Sequence, residues 1–364
     1  LVILVSVNLK GGGIMKVLKF CLFFLLIPLF CEERGDFPRI FIMSSQINLK
    51  TEGLKIGYLR DIAITLDNKF VFVDSSGKKV VMFGKNGNFE RFIGGIGEGP
   101  GEFQLPKSVT INKKGRIYIA DNERKRINIY DKEGNFLNSF IITGLHWVPY
   151  VMKIDSVGNI YMGGYKEDFE HPFTGTWIHK YNSSGKYLKS FFPTNEIAKG
   201  QIMAYYSLCS FDIDSENYIY ATQATEYKIY KYDSEGNLLK KFGKAPPYYI
   251  RPQKFPSPEK WQLMSDKEHE DIINSWTHLT KVILVKNKYL LLVLERKEQA
   301  KKGYKFLIDI FDKNGNLIAG GIGTNYKLLC KDKDDNLYFL IYTNEEEPEG
   351  EPRYIVGKYS LKLE

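Results

Sequence analysis

The sequence has little cysteine, little histidine and no long run of one charge. Its 364 residues hold four Cys and five His. No His-x-x-x-His pair sits on a helical stretch, and neither a serine nucleophile elbow nor a P-loop occurs. The local signatures of a zinc hydrolase, a serine hydrolase and a nucleotide-binding loop are therefore missing. Gly94–Gly101 is rich in glycine but lacks the Lys-Ser/Thr of a P-loop, so it reads as a connector. The formal net charge is +8, yet basic and acidic residues are interleaved, and the nearest approach to a basic run is Arg124-Lys125-Arg126. A nucleic-acid-binding face needs a continuous basic surface, so nucleic acid is not expected as a partner. The apolar run Phe20–Phe30 falls short of the roughly 20 residues that cross a bilayer as a helix.

That run belongs to an N-terminal pattern. Residues 1–14 do not read as protein. Lys10-Gly11-Gly12-Gly13-Ile14 precedes Met15, and Lys-Gly-Gly reverse-translates into a ribosome-binding sequence at start-codon spacing. Translation is expected to start at Met15, with residues 1–14 a mis-annotated upstream stretch. From there Lys16 and Lys19 supply positive charge, Phe20–Phe30 is apolar, and charge returns at Glu32-Glu33-Arg34. This is the layout of an export signal, over residues 15–31. Cys31 stands where a bacterial lipoprotein carries its acylated cysteine. Pro28-Leu29-Phe30 is a poor lipobox, however, and no A-x-A site is present. Lipidation at Cys31, soluble export and an uncleaved anchor all stay open. Each places the protein in the periplasm or outer cell envelope, with membrane attachment in two of the three.

Aromatic residues are abundant: 24 Tyr and 24 Phe, 14% aromatic overall. Such side chains suit a pleated, half-buried surface. Apolar runs recur with turn chemistry between them. One turn type precedes FVFV at Phe70, IYIA at Ile117, IYMG at Ile160, YIYA at Tyr218, YLLLVL at Tyr289 and LYFLIY at Leu337. A second type carries glycine at its tip: Lys85-Asn86-Gly87-Asn88, Lys132-Glu133-Gly134-Asn135, Ser183-Ser184-Gly185-Lys186, Ser234-Glu235-Gly236-Asn237 and Lys313-Asn314-Gly315-Asn316. Glycine accepts the positive φ that tight hairpins demand. Six copies of the first turn and five of the second predict a single six-bladed β-propeller over residues 38–364, with four-stranded antiparallel blades. The missing outer strand of the last blade is expected from Arg39–Leu49, which closes the ring and removes a free edge. Residues 244–275 read as a helical insertion between blades 4 and 5. Ser257-Pro258-Glu259 starts one helix and Ser265-Asp266-Lys267-Glu268 forms a capping box for the next. Cys209 and Cys330 fall on first strands of non-neighbouring blades, too far apart for a disulfide. Both are expected as buried thiols.

The stretch Gly97–Leu137, with its G-E-G-P-G-E-F-Q-L-P opening, its I-Y-I-A-D centre and its R-I-N-I-Y-D-K-E-G close, resembles an NHL repeat. The whole chain resembles bacterial exported or lipoprotein-type six-bladed propellers. The match is specific over blade 2, partial over blades 1, 3 and 4, and weak over blades 5 and 6. The resemblance implies the fold. It also implies a binding module more often than an enzyme, a minority of such proteins being lyases or metal-dependent hydrolases.

Strand alternation puts both recurrent turns on one face and the long irregular connections on the other. Binding resides more often in variable loops on a rigid scaffold. The expected site is therefore the loop-rich face and channel mouth, where His146, Trp147, Tyr150, Tyr165, Trp177, Tyr205, Tyr206, Trp276 and His278 gather. Aromatic walls with a few polar groups suit a protein, peptide or glycan ligand; burial as core is the competing reading. Asp121 and Arg126 are expected as a structural ion pair in blade 2. The reading is a non-enzymatic, monomeric binding module without a cofactor. The alternative is a lyase or hydrolase with zinc or calcium in the channel, held by His146 and His278, as the zinc ligands of related lyase propellers are. A third ligand is not evident, though catalytic zinc usually takes three.

Overall fold

The computed structural model describes residues 36–51, 53–54, 56–143, 150–168, 170–171, 174–199, 208–253, 255–296, 305–343 and 354–363. The local structure begins with the turns. In blade 2, Asp131 Oδ1 accepts the N–H groups of Glu133 and Asn135, at 3.0 and 2.8 Å. Asp233 and Asp312 do the same in blades 4 and 5, and Asn182 does so in blade 3. On the other recurrent turn, Asp155, Asp214 and Asp332 play this part. A short side-chain acceptor that satisfies two turn N–H groups fixes where each strand ends, and so fixes its register.

Six four-stranded antiparallel sheets follow. Their first strands are Leu59–Ile64, Pro106–Ile111, Val151–Ile154, Cys209–Ile213, His278–Val285 and Lys327–Lys331. The second and third strands are apolar on both faces because each face meets a different neighbour. In blade 1, Phe70 and Phe72 pack with Tyr338 and Tyr354 of blade 6. Val71 and Val73 point the other way, to Ile117 and Ile119 of blade 2. The same two-residue alternation fills the seams between blades 2 and 3, 3 and 4, 4 and 5, and 5 and 6. Each adjacent pair thus shares one apolar core, and the ring of six is complete.

Blade 6 takes its outer strand from the start of the domain. Phe41–Leu49 pairs antiparallel with Tyr354–Leu361, from Phe41↔Leu361 to Leu49↔Tyr354. Phe37 and Phe41 stack at 4.7 Å and bury in the seam between blades 5 and 6. Between blades 4 and 5 lie two short helices, Pro258–Gln262 and Asp266–Asn274, capped by Ser257 and by the Ser265–Glu268 box. Phe255, Trp261 and Trp276 give this excursion its own small core, which also takes Ala198. Cys209 and Cys330 are free thiols in blades 4 and 6. Burial raises both to a pKa of about 12, which keeps them protonated.

Candidate functional site: the channel and its mouth

Every first strand starts at the loop-rich face and runs toward the face of the tight turns. Four of them carry a register shift, at Leu59/Asp61, Pro106/Ser108, Leu279/Lys281 and Leu328/Cys330. A bulge re-aims the side chains beside it, and three of the four lie at charged or polar residues: Arg60 and Asp61, Lys107 and Ser108, Thr280 and Lys281. Lys281 of blade 5 interacts electrostatically with Asp61 of blade 1 and Lys153 of blade 3. Tyr150 of blade 3 interacts with Arg60 of blade 1, and Asp212 of blade 4 with Lys331 of blade 6. These blades are not neighbours, so their side chains meet only across the central axis.

The waist of the channel is built from two acids and two lysines. Asp212 Oδ1 lies 3.1 Å from Lys153 Nζ, and its Oδ2 accepts the Leu284 N–H at 2.9 Å. Burial would raise its pKa, but Lys153, Lys331 and the Leu284 N–H outweigh it and hold the carboxyl low. Asp61 Oδ2 accepts from Ser108 Oγ and Val109 N, both at 2.9 Å, and its Oδ1 accepts from Ile62 N at 2.9 Å. Burial wins there and raises its pKa. Lys281 Nζ donates to the Leu329 carbonyl. Burial lowers its pKa, against the pull of Asp61.

The mouth is asymmetric. Arg60, Lys107 and Lys327 open the first strands of blades 1, 2 and 6, three consecutive blades. Arg60 and Lys327 are exposed and Lys107 is half-buried. Burial lowers the Lys107 pKa, and the Arg60 charge lowers it further. Among the described residues, none of the three cations has an acid within ion-pair distance.

Across the mouth stand the aromatic residues expected from the sequence, in differing states of burial. Tyr150 is half-buried, its hydroxyl accepts the Cys209 N–H at 2.7 Å, and it packs edge-on to Trp177. Tyr165 and Trp177 lie in the core between blades 3 and 4, ring centroids 5.0 Å apart. Trp276 is buried against Phe255 and stacks on His278 at 4.5 Å. The Nε2–H of His278 donates to the Ile273 carbonyl at 2.6 Å. The indole N–H groups of Trp177 and Trp276 are buried without a hydrogen-bond acceptor. His146, Trp147, Tyr205, Tyr206 and Cys31 lie outside the described residues. Among the described residues, no group of three or more His, Cys, Asp or Glu is placed to hold a metal ion. His179, on the third strand of blade 3, is fully buried between the Gly164 carbonyl and Ser190 Oγ.

Asp121 and Arg126 form the ion pair expected, and they fix the connector between blades 1 and 2. Their closest approach is 3.9 Å. Arg126 also donates to the carbonyls of Gly99 at 2.8 Å and Glu98 at 3.2 Å, while Asp121 accepts the N–H groups of Leu105 at 2.9 Å and Gln104 at 3.2 Å. Both hold the connector from blade 1 to blade 2 more than they hold each other.

Sequence reasoning missed the channel charges: Arg60, Asp61, Lys107, Lys153, Asp212, Lys281 and Lys327. Their signal is one or two charges on otherwise largely apolar first strands, as in L-R-D-I-A-I, P-K-S-V-T-I and H-L-T-K-V-I.

These features define an NHL-like six-bladed propeller with a charged central channel. The chain belongs to the family described as Domain of unknown function (DUF4934), whose model matches residues 52–347. It is 30% identical over 83 residues to mouse NHL repeat-containing protein 3, which covers 19% of this chain and 24% of that protein. The chain therefore spans about a quarter of that relative's length. By structure it is similar to a member of the DUF4221 family from Bacteroides vulgatus, with TM-score 0.63 and 11% identity over 89% of this chain and 98% of that one. A Bacteroides fragilis protein described as exported gives TM-score 0.61 and 15% identity, over 89% and 96%.

Proposed function

We propose that the protein is an exported, non-catalytic binding propeller that takes a protein, peptide or glycan ligand at its loop-rich face and channel mouth. The observation that carries this reading is the mouth itself. Three cations with no acid within ion-pair distance among the described residues stand on blades 6, 1 and 2, and the half-buried rings of Tyr150 and His278 stand on blades 3 and 5 opposite them. Such a rim on a rigid ring presents polar and flat apolar contacts at once, which suits recognition. Export is supported by the signal pattern of residues 15–31 and by the likeness to a protein described as exported.

The test is a block of one face at a time. Tyr58→Cys on the loop-rich face and Lys114→Cys on the turn face are each coupled to a maleimide-polyethylene glycol; both positions are exposed. Binding to glycan and peptide arrays is then compared with that of the unlabelled proteins. Loss with the Tyr58 label alone supports the reading. Loss with the Lys114 label alone, or with neither, overturns it. Turnover of a bound ligand, with stoichiometric zinc lost in His146→Ala/His278→Ala, would replace it by the metal-dependent enzyme.

A further inference from the structure

We infer that Arg60 and Lys107, with Lys327 beside them, form an oxyanion subsite, so that the ligand carries a carboxylate, sulfate or phosphate group. This rests on the reading that the ligand enters at the loop-rich face. Arg60 and Lys107 sit near the loop-face ends of adjacent first strands, each on the arm of a bulge, close enough for their charges to act on each other. Two like charges held together, with no acid within ion-pair distance among the described residues, cost free energy that an anion removes. The acid nearest in sequence does not serve as that counter-ion. Asp61 has Oδ1 on the Ile62 N–H, and Oδ2 on Ser108 and the Val109 N–H. Asp74, another described acid of this corner, accepts from the Gly57 N–H, the Gly77 N–H and Ser76 Oγ. Among the described residues the acids of this corner are thus spent on the scaffold, and the cations are left for something outside it.

The chemistry of the two cations is complementary. A guanidinium offers a planar fork that matches an oxyanion in two places, and an ammonium adds a mobile point charge. Lys281 and Lys153 lie deeper on the same axis, each beside an acid, Asp61 and Asp212, so the positive field of the mouth is that of its rim cations. A concave opening with low-dielectric walls focuses such a field outward. Lys327 opens the first strand of blade 6, the neighbour of blade 1 on the side away from blade 2.

The probes are inorganic sulfate and inorganic phosphate, titrated against chloride at constant ionic strength and followed by thermal unfolding and calorimetry. The wild-type protein is expected to saturate at millimolar anion. Arg60→Gln/Lys107→Gln is expected to weaken binding at least tenfold, with a melt in chloride no lower than that of the wild type. Lys113→Gln/Lys114→Gln, on the turn face, is expected to bind as wild type does. No saturable binding by the wild type, or equal binding by the Arg60/Lys107 variant, overturns the subsite. Arrays carrying acidic and neutral forms of the same oligosaccharide separate the two readings. Ligand loss on blocking Tyr58, without sulfate or phosphate binding, sinks the subsite and leaves the loop-face reading. Anion binding at Arg60 and Lys107, with array binding untouched by the Tyr58 block, supports the subsite and sinks the loop-face reading.

Discussion

Lys153 Nζ of blade 3 stands 3.1 Å from Asp212 Oδ1 of blade 4, whose Oδ2 accepts the Leu284 N–H of blade 5 at 2.9 Å. One carboxylate therefore ties three consecutive blades around the channel. Asp61 repeats half of the device, reaching from blade 1 to the Val109 N–H of blade 2. Asp212→Ala strips an acceptor from a strand N–H and leaves Lys153 without its partner, and is expected to cost about 3 kcal/mol. Asp212→Asn keeps a carbonyl for the Leu284 N–H and is expected to cost about half as much. Urea unfolding at pH 7.5 reads both; equal losses would mean that the charge, not the bridge to blade 5, matters.

His179 predicts a pH dependence of stability. It is fully buried, and burial holds its pKa down to about 4. Its Nε2–H donates to the Gly164 carbonyl at 2.8 Å, which leaves Nδ1 to accept from Ser190 Oγ at 2.7 Å. Below pH 6.5 the unfolded chain protonates this ring while the folded protein does not. The unfolded state then binds more protons, so stability falls as pH drops from about 6.5 to about 4. By pH 4.5 the loss from this one group is roughly 2–3 kcal/mol. His179→Gln is less stable than wild type at pH 7.5, and the gap is expected to narrow by that amount at pH 4.5. A gap that stays constant across this range would show that the ring does not titrate as stated.

The fold was legible because its signals are local and repeated. Asp131, Asp233 and Asp312 occupy the same place in the same turn, and the alternation of Phe70, Val71, Phe72 and Val73 between two seams is written as an unbroken apolar run. The site was less legible for two physical reasons. Tyr165, Trp177 and Trp276 have large apolar surfaces, and the seam cores take them, whereas composition cannot tell a wall from a core. Arg60, Lys107 and Lys281 gain their meaning from register shifts beside them and from charges on other blades. A bulge is a matter of pairing between strands, and a single strand's residues do not announce it.

Gly87 offers a test of how the ring is closed. Its φ is +81°, and a Cβ there would lie 1.9 Å from the Asn48 carbonyl oxygen, at the end of the closing strand. Its own carbonyl accepts the Lys50 N–H at 2.8 Å. Gly115 has nearly the same backbone, φ +78°, but a Cβ there meets nothing nearer than 3.4 Å. Gly115→Ala should therefore cost only the backbone strain, about 1 kcal/mol. Gly87→Ala should cost about 2–3 kcal/mol, because it also pushes the closing strand away. Deletion of residues 38–50 should abolish the cooperative melt, since it exposes the edge of Tyr354–Leu361 and removes Phe41 from its core. Equal costs at the two glycines, or an unchanged melt after the deletion, would count against closure by this strand.

Asp121 and Arg126 allow the scaffold role of blade 2 to be separated from a charge pair. Asp121 is fully buried and holds the Leu105 and Gln104 N–H groups, so Asp121→Ala leaves two donors without their acceptor. A cost of about 2–3 kcal/mol is expected. Arg126 spreads its guanidinium over the carbonyls of Glu98, Gly99 and Glu102. A lysine has no planar fork for such a spread, so Arg126→Lys should lose about 1–2 kcal/mol, nearly as much as Arg126→Ala. The two residues approach only to 3.9 Å, and their double-mutant coupling should stay below about 1 kcal/mol, small beside the loss of Asp121's two backbone donors. A coupling above about 1 kcal/mol would mean that attraction between the two charges, and not their separate grips on the Ile93–Pro106 connector, holds this corner of the propeller.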